Sequence, residues 1–101
     1  MNAPGSRVAR LNGPEALAAT AVVAADGRGF LLGQRLPVLH GQIYQLWGAT
    51  AAGTVTSLGT LPGPGIYAFA ADPSIHVVMV TVEDGPVPAP TRAAIATGTL
   101  A

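Results

Sequence analysis

Cysteine is absent from the 101-residue sequence, and so is lysine. Without cysteine the chain can form no disulfide, no zinc–thiolate site and no thiolate nucleophile. Charged residues make up only 10% of the sequence, and the five arginines balance five acidic residues. Because a nucleic-acid site needs basic side chains concentrated on one face, this composition argues against nucleic acid as a partner.

Long hydrophobic runs are also missing. The longest uncharged apolar run, residues 16–25, is interrupted by Thr20 and followed by Asp26. It is much shorter than the roughly 20 residues that span a bilayer, and no basic stretch precedes it as in a secretion signal. The sequence therefore predicts a soluble chain with a flexible leader over residues 1–7 and one folded domain over residues 8–101.

What the sequence does contain is short apolar runs separated by turn residues at intervals of roughly 8–12 residues, a spacing typical of small β-sandwiches and barrels. Asp26-Gly27 predicts a hairpin with a type I′ turn. Strands are predicted over residues 8–11, 17–25, 29–35, 42–49, 54–60, 66–71, 75–83 and 95–99. A helix starting at Pro14 is a weaker alternative for residues 14–25. The predicted fold is all-β, an antiparallel β-sandwich of seven to eight short strands.

The stretch 75–83 is the clearest strand, because it is rich in β-branched residues. Simple alternation places Ile75, Met79 and Thr81 on one face and Val78 and Val80 on the other. Both faces are largely apolar. We therefore expect this strand to be central and covered on both sides.

Two stretches are candidates for a partner surface. Tyr44-Gln45-Leu46-Trp47 contains the single tryptophan, which in a two-faced apolar strand is more often a core residue than an exposed anchor. The segment containing Pro86, Pro88 and Pro90 can present a polyproline II surface, or serve only as a rigid crossover. The candidate partner surface is Trp47, Pro86, Pro88 and Pro90, with core packing of Trp47 as the favoured interpretation.

Catalytic and metal chemistry is not predicted. His40 and His76 lack companions at metal-ligand spacing, and His76 and Met79 point to opposite faces of one strand. None of the serines lies in a Gly-x-Ser-x-Gly turn. We therefore predict no enzyme activity, no catalytic residue, no metal and no cofactor.

Short motifs follow one another in a fixed order: Leu36-Pro37 and Gly41, then Tyr44-Gln45-Leu46-Trp47, Ser57-Leu58-Gly59, Val80-Thr81-Val82-Glu83 and Pro90-Thr91. This succession resembles the C-terminal, extracytoplasmic domain of anti-sigma-K factors, the RskA family. The resemblance covers about residues 8–99 and is specific as a set. One departure is that Asp84-Gly85-Pro86 follows Glu83, where the family usually has proline at once and a Gly-Gly before the later proline-threonine. We therefore expect a shorter, stiffer loop.

The resemblance implies a non-enzymatic, regulatory role in negative control of sigma-factor-dependent transcription. In the family, a cytoplasmic domain sequesters the sigma factor, and the outer domain controls when proteolysis releases it. The implied partners are a regulatory protease and a sigma factor, the latter only through a cytoplasmic domain absent from these residues. The implied location is the extracytoplasmic side of the plasma membrane, reached through a membrane span that is likewise absent here.

A secreted or surface module for ligand binding or adhesion, with the same β fold, is the alternative function. The residues also predict a homo-oligomer. No lysine is available to protect sheet edges, and a net charge near zero gives little repulsion between copies.

Overall fold

The computed structural model describes residues 5–13 and 18–100. Within these ranges the chain forms eight β-strands: β1 (Arg7–Asn12), β2 (Ala18–Val23), β3 (Arg28–Gly33), β4 (Ile43–Thr50), β5 (Val55–Leu61), β6 (Gly65–Ala70), β7 (Ile75–Glu83) and β8 (Ala96–Thr99). All eight predicted strands are present, so the prediction of an all-β fold is confirmed. The start of the helical alternative, residues 14–17, lies outside the described residues, and residues 18–23 are a strand.

The strands form one antiparallel sheet and not the predicted sandwich of two sheets. Its order is β5-β4-β7-β8-β1-β2-β3-β6. The short strand β8 pairs with both β7 and β1 and so joins the two halves into a single ladder. The sheet is nearly closed and barrel-like, because it curls around one interior until its edge strands β5 and β6 approach each other. Strand spacing alone does not distinguish these two architectures, since both use short strands with one buried face.

The interior is filled by aliphatic side chains from almost every strand. Leu11, Leu31, Leu46, Val78 and Val80 are among its buried members. Burial alternates along β2 and β3, as expected for strands with one face towards a core. β4 differs, because every residue from 44 to 48 is buried. This strand is therefore covered on both faces.

A register shift corrects the predicted faces of β7. Between Ala49 and Thr50 the pairing of β4 with β7 skips one residue of β7, so Ala49 faces Val77 and Thr50 faces Ile75. As a result Ile75 joins Val78 in the interior, and His76 is exposed. The simple alternation placed Ile75 with Met79. A bulge of this kind changes the side of the sheet to which the following residues point.

The hairpin predicted at Asp26-Gly27 is present, with a different turn. The Gly27 N–H donates to the Ala24 carbonyl at 2.9 Å, and the Ala24 N–H donates to the Arg28 carbonyl at 2.8 Å. Gly27 has a φ of 89°. This is a three-residue loop with glycine in the left-handed region, and not the two-residue type I′ turn.

Residues 84–95 connect β7 to β8, and we call them the proline-rich segment. They leave the sheet after Glu83 and return at Ile95, whose N–H donates to the Val80 carbonyl at 2.8 Å. Between these points the segment folds over the outer face of β4 and β7. Among the described residues there is no helix with the length and hydropathy needed to cross a membrane.

Candidate functional site

The outer face of β4 and β7 carries a group of buried side chains beneath the proline-rich segment. Alternation turns Gln45 and Trp47 away from the interior, and the register places Thr81 opposite Gln45 and Glu83 opposite Ile43. Gln45, Trp47, Thr81 and Glu83 are each at most 2% exposed. We call these four residues the outer-face cluster.

A chain of hydrogen bonds runs through the outer-face cluster to the segment. The Trp47 Nε1–H donates to Thr81 Oγ1 at 2.9 Å, and the Thr81 hydroxyl donates to Glu83 Oε2 at 2.7 Å. The Thr91 hydroxyl donates to Glu83 Oε1 in a short contact, and the Thr91 N–H donates to Glu83 Oε2 at 3.4 Å. The Glu83 carboxylate therefore holds one end of the segment against the sheet.

The side-chain amide of Gln45 holds the other end. Its Nε2–H donates to the Val87 carbonyl at 2.9 Å, and its Oε1 accepts from the Val87 N–H at 3.1 Å. Nε2 also donates to Ser57 Oγ on β5 at 2.9 Å, which orients the amide. Gln45 thus pairs with the backbone of one residue through both donor and acceptor, as a neighbouring strand would.

An exposed group of polar contacts closes the rim of the site. Arg92 donates to Asp84 Oδ2 at 3.0 Å and to the Val82 carbonyl at 3.2 Å, and Gln42 donates to Asp84 Oδ1 at 3.1 Å. Exposed ion pairs contribute little free energy of folding, because water competes for both partners. The buried contacts of Gln45 and Glu83 therefore dominate the attachment of the segment.

The electrostatics favour an ionised Glu83. Hydrogen bonds from Thr91 and then from Thr81 hold the pKa of the Glu83 carboxyl below its usual range, with a further contribution from Arg92 and an opposing one from burial. Gln42 and Arg92 lower the pKa of Asp84 in the same direction. At neutral pH Glu83 is thus a carboxylate that accepts all of its contacts. Every buried side-chain nitrogen or oxygen in the described residues has a partner.

The sequence-predicted site residues divide into two groups. Trp47 is 0% exposed, so its predicted burial is confirmed, although it lies in the outer-face cluster and not among the interior side chains. Pro86, Pro88 and Pro90 are exposed on the outer side of the segment. Their role as a partner surface stays a prediction.

The two histidines, His40 and His76, are both exposed. Within residues 5–13 and 18–100, no group of three or more histidine, cysteine, aspartate or glutamate side chains is placed to hold a metal ion.

Sequence reasoning did not identify Gln45, Thr81, Glu83 and Thr91 as one site. A signal for them was available, because Gln45, Thr81 and Glu83 are polar residues on strands expected to be covered on both sides. Buried polar groups are almost always hydrogen-bonded, so such residues require partners. The partners could not be named, because Val87 and Thr91 lie in a loop whose path over the sheet the sequence does not show.

The remaining motif residues also have structural roles. Leu36 is buried in the interior, and the Tyr44 hydroxyl donates to the Pro37 carbonyl. The pairing of β4 with β5 skips Leu58, and Gly59 beside it has a φ of 147°, which favours glycine. The motifs that carried the resemblance therefore place the edge strand β5 and hold the proline-rich segment in position.

The chain matches a protein-family model. The family model described as anti-sigma-K factor RskA, C-terminal, matches residues 2–100. Searches of curated proteins and of solved structures found no significant match. Since the family model covers almost the whole chain, this chain belongs to the family of RskA anti-sigma-K factor C-terminal domains.

Proposed function

We propose that this domain is the regulatory, extracytoplasmic module of a membrane-bound anti-sigma factor, and that it acts without enzyme activity. Its task is to set when a regulatory protease gains access to the anti-sigma factor, and so when the sigma factor is released. The observation that carries the proposal is the family match over residues 2–100.

The outer-face cluster supports a regulatory role by its chemistry. Its polar side chains are engaged in holding the proline-rich segment, and Glu83 accepts hydrogen bonds from Thr81 and Thr91. Such a site couples the position of a surface segment to the folding of β4 and β7. A protease cleaves unfolded chain. Less of the chain is unfolded while the segment is attached to the sheet than after it has detached.

The experiment measures cleavage and transcription together in the natural host. Gln45→Ala and Thr91→Val each remove one attachment of the segment, and we expect both to increase cleavage of the anti-sigma factor and transcription from a promoter of its sigma factor. Gly63→Ala is the matched control, because a methyl group added at Gly63 meets no atom within 4 Å.

Two results would contradict the proposal. One is unchanged cleavage and transcription after deletion of residues 8–101. The other is protection of the domain from a protease that is added to cells whose outer envelope has been opened and whose plasma membrane is intact. A protein found outside the cell, with no effect on transcription, would instead support a secreted ligand-binding or adhesion module.

A further inference from the structure

The proline-rich segment lies on the sheet as a bound peptide lies on its receptor. The sheet contributes side chains, namely the amide of Gln45 and the carboxylate of Glu83. The segment contributes the backbone N–H and carbonyl of Val87 and the backbone N–H and hydroxyl of Thr91. Docking of an extended, proline-rich segment on a preformed surface is one of the recurring modes of peptide recognition.

The receptor side of this contact belongs to the sheet. Gln45 and Trp47 lie on β4, whose neighbours are β5 and β7, and Thr81 and Glu83 lie on β7, which pairs with β4 along its whole length. Ser57 orients the Gln45 amide from β5. The pairing of β4 with β5 and with β7 contains no residue of the proline-rich segment.

The occupant, by contrast, has no secondary structure of its own. No residue from 84 to 95 is in a strand or helix, and Pro86, Pro88, Ala89 and Pro90 are exposed. Prolines restrict such a segment to extended conformations, so little conformational entropy is lost when it binds. The two residues of the segment that the outer-face cluster contacts are four positions apart. Val87 bonds to Gln45, and Thr91 bonds to Glu83.

From these contacts we propose that the outer-face cluster is a peptide-binding groove, occupied in this structure by the chain's own residues 86–91. When the segment is displaced, the groove takes an extended, uncharged, proline-rich peptide from another polypeptide. That peptide presents a free backbone N–H and carbonyl to Gln45 and a threonine four residues later to Glu83. Trp47 and Thr81 form the floor of the groove. This goes beyond the proposed function and does not rest on it.

The test empties the groove and then refills it. Residues 86–91 are replaced by glycine and serine at the same length, and folding is checked by circular dichroism. A synthetic peptide with the sequence of residues 85–91, blocked at both ends so that it is uncharged, is then added, with Trp47 fluorescence as the reporter. We expect saturable binding with a change in the Trp47 emission, because the bound threonine completes the hydrogen-bond chain that runs from Glu83 through Thr81 to the indole.

Two controls assign the binding to the named contacts. A peptide carrying Thr91→Val lacks the hydroxyl that Glu83 accepts, and we expect it to bind about tenfold more weakly. In the protein, Gln45→Leu removes the amide that pairs with the backbone, and we expect a loss of similar size. A folded glycine–serine variant whose Trp47 emission does not respond to the peptide up to millimolar concentration would overturn the proposal.

Hydrogen exchange on the unmodified chain decides the matter if the replaced variant does not fold. The N–H groups of Val87 and Thr91 bond to side chains of the groove, so the proposal requires them to exchange by local opening, at least tenfold faster than the ladder amides of β4 and β7. Exchange of all these amides at one common rate would mean that the segment leaves only on global unfolding, and would overturn the proposal.

Discussion

The indole Nε1–H of Trp47 donates a hydrogen bond of 2.9 Å to the hydroxyl of Thr81 on the adjacent strand. Both side chains are fully buried, yet they lie on the outer face of the sheet and not in its interior. The same hydroxyl donates to Glu83, which holds Thr91 of the proline-rich segment. One threonine thus connects the tryptophan of the sheet to the segment that covers it.

Removing either member of this pair should lower stability. We expect Trp47→Ala to reduce the free energy of unfolding by about 3–5 kcal/mol, because it leaves a large cavity. Thr81→Val should cost about 1–3 kcal/mol, because it leaves the buried indole N–H without an acceptor. Thr99→Val, on the exposed side of β8, is the control and should be near neutral. Urea unfolding measures all three, and a tryptophan emission maximum that is fully solvated in the folded protein would contradict the burial of Trp47.

Stability should fall in acid because of Glu83. Its pKa is lower in the folded protein than in the unfolded chain, owing to hydrogen bonds from Thr91 and Thr81. The carboxylate therefore stabilises the fold above the ordinary glutamate pKa of about 4.3, and this contribution is lost as the pH falls through the lowered folded-state value. The lowered pKa values of Asp84 and Asp72 act in the same direction.

The measurement is the urea midpoint at a series of pH values between neutral and acid. Glu83→Gln cannot ionise, so we expect it to be less stable at neutral pH and to show a weaker loss in acid. Parallel curves for the variant and the unmodified protein would show that another group controls the acid transition.

A close contact that requires glycine lies between β3 and β6. Gly29 faces Phe69 across the two strands, and a methyl group at Gly29 would lie 2.6 Å from Cζ of the Phe69 ring. Gly29→Ala should therefore displace the ring and cost about 1–3 kcal/mol. Gly63→Ala, which meets no atom within 4 Å, is the matched control. Equal melting temperatures for the two variants would mean that the ring moves aside without loss.

Self-association remains an expectation, and the structure suggests where to test it. The edge strands β5 and β6 contain no charged residue, and β6 carries Ile66 with 57% of its surface exposed. Unprotected edges and exposed apolar residues favour pairing between copies. We expect light scattering to show mass increasing with concentration, and Ile66→Lys to reduce this increase.

Val38→Lys is the control for that substitution. Val38 is 67% exposed, but it lies in the connection between β3 and β4 and belongs to neither edge strand. A monomeric mass up to millimolar concentration, at low and high salt, would contradict self-association. An equal effect of both lysine substitutions would point to net charge and not to the edge.

Metal should have no part in folding. The sequence contains no cysteine, and both histidines are exposed. Prolonged treatment with a chelator should therefore leave the melting temperature unchanged. A large decrease that one particular divalent ion reverses would show that the chain holds a metal site.

Much of the local structure could be predicted from the residues. Turn residues such as Asp26-Gly27 separate the strands, because glycine adopts positive φ at no cost, and the β-branched run from Ile75 marks β7 with its correct ends. Alternation along β4 likewise puts Gln45 and Trp47 on one face. These features depend on a few neighbouring residues, which is why the sequence alone reveals them.

The candidate site depended on contacts between distant parts of the chain. Gln45 and Val87 are 42 positions apart, and Glu83 meets Thr91 only because residues 84–95 turn back over the sheet. The short strand β8 joins two halves of the sheet that the sequence does not connect. From the sequence, Trp47 was therefore expected in a core and the prolines on a loop, and the hydrogen bonds that connect them could not be predicted.

The sequence by itself determined an all-β domain of eight short strands, its family, and a buried tryptophan, because periodicity, turn chemistry and short motifs are local properties. Only the tertiary structure decided that these strands form a single nearly closed sheet, that Ile75 turns inward at a bulge, and that Trp47 is linked through Thr81 and Glu83 to the proline-rich segment. The reason is physical. Strand pairing and loop docking depend on the free energy of long-range contacts, which no stretch of neighbouring residues specifies.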